Sequence, residues 1–193
     1  MDTCPRYNGH MTELSILAEQ LGVSERTLRR AVNEGTLRAT RPSPRTLELS
    51  PPEREYTRRS WPLISALRRV LRTEPNKRLA VLFGSTAAGV DVLTSDVDVL
   101  VDLVDDSLDR LADLTLKLEA AVRRPVDMVR LQDAERDPLF LANVLARGRV
   151  LVDRADLWPR VSSREAALRR IGLVEKDRRA HSALKGIDRL LTV

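Results

Sequence analysis

One short pattern constrains this chain more than any other. The apolar run Leu79-Ala80-Val81-Leu82-Phe83 leads directly into Gly84-Ser85. Ten residues further on, Asp96-Val97-Asp98 opens a stretch that alternates Asp with aliphatics as far as Leu103. The run reads as a buried strand, and the alternating stretch as a second strand. Glycine lets a phosphate approach the backbone, Ser85 offers a hydroxyl, and a helix starting there offers free amides at its positive end. Asp96 and Asp98 are two apart, so a strand turns both to one face, about 7 Å from each other. Like charges so placed repel unless a cation sits between them. Oxygen-only ligands suit Mg²⁺, which keeps waters and adds substrate phosphates. A third carboxylate is expected from a neighbouring strand, and Asp127 in Pro125-Val126-Asp127-Met128-Val129 is the candidate. Asp102 shares the parity but lies at the exit of its strand. A phosphate cradle with three carboxylates is equipment for two-metal phosphoryl or nucleotidyl transfer. Asp96 and Asp98 would bridge the metals, and Asp127 would help activate the nucleophile.

The flanking periodicity predicts an α+β chain. Helices are expected at Ser107–Val122 and Asp137–Ala146, strands at Pro125–Leu131 and Arg149–Val152, and charged helix from about Ser162 onward. Upstream, residues 1–10 read as a frayed tail. Thr12 caps one helix, and Ser24 caps a second over Glu25–Asn33, with Gly22 between them and Gly35 after. Leu37–Thr40 and Thr46–Leu49 read as strands about the turn Arg41-Pro42-Ser43-Pro44-Arg45. Pro51 and Pro52 mark a break. Two helices are then expected, Glu53–Arg59 and another from Ser60 and Pro62 to about Arg72, with Glu74-Pro75-Asn76 as the best candidate for a domain boundary.

Composition narrows the classes. The 193 residues hold one cysteine, Cys4, and two histidines, His10 and His181. That excludes a disulfide framework and a Cys-based zinc site. No apolar run approaches spanning length and no secretory leader is seen, so no membrane partner and a cytoplasmic location are expected. Aromatics make up 3% of the chain, too few for a base-stacking platform. The net charge of +5 is uneven. Residues 1–77 carry 14 basic and 9 acidic side chains, 78–156 carry 10 and 15, and 157–193 carry 9 and 4. An acidic middle, where metal-binding carboxylates belong, lies between two basic ends.

Gly84-Ser85, ten residues, then Asp96-Val97-Asp98, with Asp127 downstream, resembles the signature of the polymerase-β-type nucleotidyltransferase superfamily. The compact size is most similar to its minimal (MNT) branch, over roughly residues 64–153. The resemblance implies a small mixed sheet flanked by helices, Mg²⁺ as cofactor and ATP as AMP donor. Many relatives carry Arg or Lys where this chain has Ala88. Here a cation for the triphosphate would come from Arg123, Arg124 or Lys117. Minimal members resemble antitoxins that transfer AMP to a tyrosine of a HEPN-type toxin.

Leu17 to Arg30 resembles a helix-turn-helix. Ala18 allows close packing, Gly22 allows the turn, and Val23 and Leu28 fill the space between helices. Ser24, Arg26, Thr27, Arg29 and Arg30 would face the major groove. Arg38, Arg41 and Arg45, on a winged hairpin, would lie near phosphates. The expected domains are a winged helix-turn-helix over 1–60, a nucleotidyltransferase over 61–156 and a C-terminal helical extension over 157–193. The function expected is an adenylylating antitoxin that binds operator DNA and pairs with a cognate toxin; a homodimer is a further expectation. Two other readings stay open: a toxin that modifies tRNA, and a transcription regulator with an inactive nucleotidyltransferase domain.

Overall fold

The computed structural model describes residues 12–43, 46–92 and 94–191, with side chains through residue 179 and at 181. The readings placed on the 1–10 tail, Cys4, His10 and Arg45 lie outside the described residues. The chain divides into two compact units, Met1–Pro62 and Leu63–Val193.

In the first unit, helix α1 spans Glu13–Gln20 and α2 spans Glu25–Asn33. Thr12 Oγ1 accepts from the Ser15 N–H and Ser24 Oγ from the Thr27 N–H, the side-chain caps expected of Thr and Ser. Gly22 turns the chain at φ +64°, and the Val23 N–H then donates to the Ala18 carbonyl at 2.9 Å. Strands β1 (Thr40–Ser43) and β2 (Thr46–Glu48) form an antiparallel hairpin. The first strand begins later than expected. The amides of Thr36 and Leu37 both donate to the Ala31 carbonyl, which ties that segment to the end of α2. Leu14, Leu17, Ala18, Leu28, Ala31, Leu37, Leu47, Leu49 and Trp61 close the core.

Helix α3 runs unbroken over Pro51–Thr73, where two helices were expected. Ser50 precedes it, and prolines are tolerated in a first turn, whose amides have no intrahelical partner. Pro62 is interior and costs about 3 kcal/mol. Trp61, Ile64, Leu67 and Leu71, all buried at helical spacing, offset it, since each large apolar side chain contributes roughly 1.5–3 kcal/mol.

The second unit continues with β3 (Lys77–Leu82), α4 (Gly84–Ala88), β4 (Val97–Leu103), α5 (Leu108–Val122) and β5 (Val126–Arg130). After these come α6 (Leu131–Ala134), α7 (Pro138–Arg147), β6 (Arg149–Asp153), α8 (Leu157–Ser162) and α9 (Glu165–Leu191). The sheet order is β5-β4-β3-β6. β3 pairs antiparallel with β4 and β6, while β4 and β5 are parallel. A parallel pair needs a crossover, which α5 supplies. Leu79, Val81, Leu100, Leu141, Val144 and Val150 form the core with Val161 of α8 and Leu168 of α9. Gly172 of α9 lies so close to α7 that an added Cβ would stand 2.6 Å from the Leu139 nitrogen. A mixed sheet flanked by helices is what the resemblance implied.

Candidate active site

The site forms where β3 hands over to α4. Gly84 takes φ +69°, a left-handed conformation open to glycine. A Cβ there would sit 2.0 Å from Asp98 Oδ2 and 2.8 Å from its Cγ. Gly84 is therefore glycine for two reasons, its backbone angle and the carboxylate pressed against it. The Phe83 N–H donates to the Asp98 carbonyl at 3.0 Å, extending the β3–β4 ladder to the turn. That bond places Asp98 beneath Gly84-Ser85. α4 is five residues long, so any phosphate affinity here comes from the turn's own groups more than from a helix dipole.

Asp98 stands in register with Asp127 across the parallel β4–β5 pair, on strands about 4.8 Å apart. Burial pushes the Asp98 carboxyl above its ordinary pKa, and the charges of Asp127 and then Asp96 push it further the same way. Asp96 precedes β4 and is exposed, as is Asp127. The three carboxylates expected from the sequence are thus neighbours, and among the described residues no Lys, Arg or His pairs with any of them. Asp102, on the same strand face as Asp98, lies 3.3 Å from the Arg78 guanidinium.

This donor set fits a divalent cation: it is all oxygen, uncompensated, and partly withdrawn from water. Among the described residues no three His, Cys, Asp or Glu side chains gather tightly enough to hold a metal unaided. Mg²⁺ ordinarily takes one or two carboxylates and completes its shell with phosphate and water oxygens.

Of the three cations expected to serve the triphosphate, Lys117 bonds Asp113 at 2.6 Å on its own helix, and Arg123 is exposed at the end of α5. Arg124 has another task. Its Nη1 lies 2.8 Å from Asp91 Oδ2, and Nε and Nη2 donate to the Ser95 carbonyl at 3.0 and 2.6 Å. Nη2 also reaches Thr86 Oγ1 at 3.5 Å. The side chains of Arg124 and Asp91 are 14% and 11% exposed, so this is a withdrawn ion pair. It ties the loop carrying Asp96 to α4. Sequence reasoning missed this role, because Arg124 meets Asp91 and Ser95 only through the β4–α5–β5 crossover.

The helix-turn-helix candidates occupy the first unit. Arg26 is exposed and has no partner among the described residues. Arg29 pairs with Glu25 at 2.5 Å, Arg30 with Glu34 at 3.7 Å, and Arg41 bonds Asn33 at 2.5 Å. Ser24 and Thr27 hydroxyls lie 2.9 Å apart. Arg38 is exposed, and its amide donates to Glu53 Oε1 at 2.9 Å.

Residues 65–157 match the family model for Polymerase beta, Nucleotidyltransferase. The fold is shared with solved structures of toxin–antitoxin pairs. One, a toxin–antitoxin with AMP-PNP, has 24% identity and a TM-score of 0.51, over 63% of this chain and 98% of the other. A mutant of the MntA-HpeT toxin–antitoxin has 22% identity, the same TM-score and the same coverage. A similarity is also found to a tri-AMPylated Shewanella oneidensis HEPN toxin in complex with MNT antitoxin, with 22% identity and a TM-score of 0.48, over 63% and 96%, and it carries no part of the fold comparison. No curated protein matches the chain. Among the described residues no helix is long and apolar enough to cross a membrane.

Proposed function

We propose that the chain is a Mg²⁺-dependent adenylyltransferase that acts as an antitoxin, moving AMP from ATP to a cognate HEPN-type toxin. The observation that carries the chemistry is Asp98, seated against Gly84 and in register with Asp127, its carboxyl held above the usual range by burial and by two like charges. The structural likeness to a toxin–antitoxin with AMP-PNP supports the nucleotide and the biological setting.

In this reading Gly84 and Ser85 receive the triphosphate tail, with the Ser85 hydroxyl donating to a phosphate oxygen. Asp96, Asp98 and Asp127 would hold Mg²⁺, which supplies charge neutralisation for the leaving pyrophosphate and lowers the pKa of the attacking hydroxyl. Asp127, on the exposed side, faces the acceptor and draws the proton from its hydroxyl. That oxygen bonds to the α-phosphorus, the bond to the β-phosphate oxygen breaks, and pyrophosphate departs. Arg124 fixes the loop from which Asp96 projects.

The first unit is proposed as a winged helix-turn-helix that binds operator DNA. α2 would be the recognition helix, with Ser24, Arg26, Thr27, Arg29 and Arg30 at its leading face, and Arg38 and Arg41 near phosphates. Most of these arginines already have protein partners, so Arg26 is the strongest single candidate for a base or phosphate.

Incubation with labelled ATP, Mg²⁺ and the product of the neighbouring gene tests the enzyme. Label on that protein supports the antitoxin, and label on tRNA instead overturns it in favour of a toxin. Asp96→Ala with Asp98→Ala should abolish transfer while DNA binding persists. For DNA, Arg26→Ala should weaken operator binding and reduce the salt dependence by about one charge. An unchanged salt slope with unchanged affinity would remove α2 from the groove.

A further inference from the structure

Helix α9 buries one face against the core and leaves the opposite face exposed. The helix is 27 residues long, about 40 Å. Leu168 is buried in the core, and Gly172 lies against Leu139 of α7. Beyond Gly172 no side chain of the helix is buried among the described residues. A helix turns about 100° per residue, so Arg170, Leu173, Val174 and Asp177 share the face opposite Leu168 and Gly172. All four are exposed, Leu173 by 48% and Val174 by 58%. On its flanks the helix pairs charges along itself: Arg169 lies 2.6 Å from Glu165 and Arg179 3.7 Å from Glu175, both at i,i+4 spacing. The side chains of Arg170 and Asp177 have no such ion pair among the described residues. The residues three and four away from Arg170 are Ala166, Ala167, Leu173 and Val174, so its own helix offers it no counter-charge. Asp177 stands roughly 10 Å further along the axis, too far for the two to meet within one chain.

We infer that this face of α9 pairs with the same face of a second copy of the chain, antiparallel, about a two-fold axis between Leu173 and Val174. Arg170 and Asp177 lie symmetrically about that midpoint. In a two-fold contact residue i meets j and j meets i. Arg170 of each copy therefore meets Asp177 of the other, and two ion pairs flank an apolar centre where Leu173 meets Val174 twice. A parallel pairing would set Arg170 on Arg170 and Asp177 on Asp177, and like charges repel. Ala166 and Ala167 fall at the ends of the shared stretch, near the other copy's His181. Their small side chains let the helices approach to the distance of packed pairs, about 8–10 Å. The face is thus complementary to itself in charge as well as apolar at its centre. The pairing makes no use of the Gly84-Ser85 turn or of the carboxylates beside it.

Analytical ultracentrifugation of the full chain over a concentration series tests this. The wild type should approach twice the mass of one chain by about 0.1 mM. Val174→Glu should remove the dimer. Arg170→Asp should weaken it about tenfold, and so should Asp177→Arg, because each change sets like charges together at both ends of the contact. Both changes in one chain restore opposite charges and should return the affinity to within about threefold of the wild type. That double variant separates the contact from folding, since a misfolded chain does not regain a dimer by exchanging two charges. A wild type that stays monomeric at that concentration overturns the inference. So does a dimer indifferent to Val174→Glu or to the single reversals, or one that the double change fails to restore. A monomeric wild type that binds the product of the neighbouring gene, and loses it in Val174→Glu, assigns the face to that protein instead.

Discussion

Asp98 and Asp102 stand on the same face of the same strand, and the protein treats them oppositely. Burial raises the pKa of both. At Asp102 the nearby charge that acts most strongly is the Arg78 guanidinium, which favours the ionised form against Asp106 and Glu135. At Asp98 the neighbouring charges are Asp127 and Asp96, and both oppose ionisation. A carboxylate that the fold neutralises is part of the fold. One that it surrounds with like charge is stabilised only by something that arrives from outside.

The largest effect should follow Asp98→Asn. Transfer should fall by about a thousandfold or more, yet the melting temperature should rise, by about 2 °C, because a partly buried, repelled charge disappears. A carboxyl with a raised folded-state pKa favours the fold while protonated. Its contribution is lost as pH rises from the ordinary carboxylate range through the raised value. Asp98→Asn should therefore flatten the loss of stability across that window, as read by melting scans in steps of pH. A fall in melting temperature at neutral pH would break the contrast with Asp102.

Gly84→Ala tests the same carboxylate from the other side. The methyl must displace Asp98 and hold a left-handed backbone angle, at about 1–3 kcal/mol. Transfer should drop about a hundredfold, and chemical denaturation should show the loss of stability.

Arg124→Met should cost about 10–100-fold in transfer with a raised Mg²⁺ requirement, since it frees the loop that carries Asp96. An unchanged Mg²⁺ titration would reduce Arg124 to a packing role. Asp102→Asn should be the mildest. Transfer should stay within about twofold and stability within about 0.5 kcal/mol, because its partner Arg78 is half exposed and solvent replaces the pair. A large loss of activity there would erase the distinction between the two aspartates.

Much of the fold was legible because it rests on local rules. Thr12 and Ser24 cap their helices where a hydroxyl precedes an apolar repeat, and the strands of the second unit lie within a residue or two of their periodic runs. α3 was not legible as one helix. Pro62 is a local breaker, and only burial along the whole helical stripe outweighs it. The short α6 and α8 carry too few turns for periodicity to register.

For the site, the sequence alone determined the residue types and their parity. A strand puts Asp98 and Asp102 on one face, Asp96 lies just before it, and a glycine must stand where the backbone turns left-handed. Tertiary structure decided which of these carboxylates lacks a counter-charge. It brought β5 alongside β4 so that Asp127 meets Asp98, and it brought Arg78 to Asp102. It also sent Arg124 to Asp91 and Ser95. Charge compensation depends on distances between strands and helices far apart in the chain, and spacing along one strand carries no record of them.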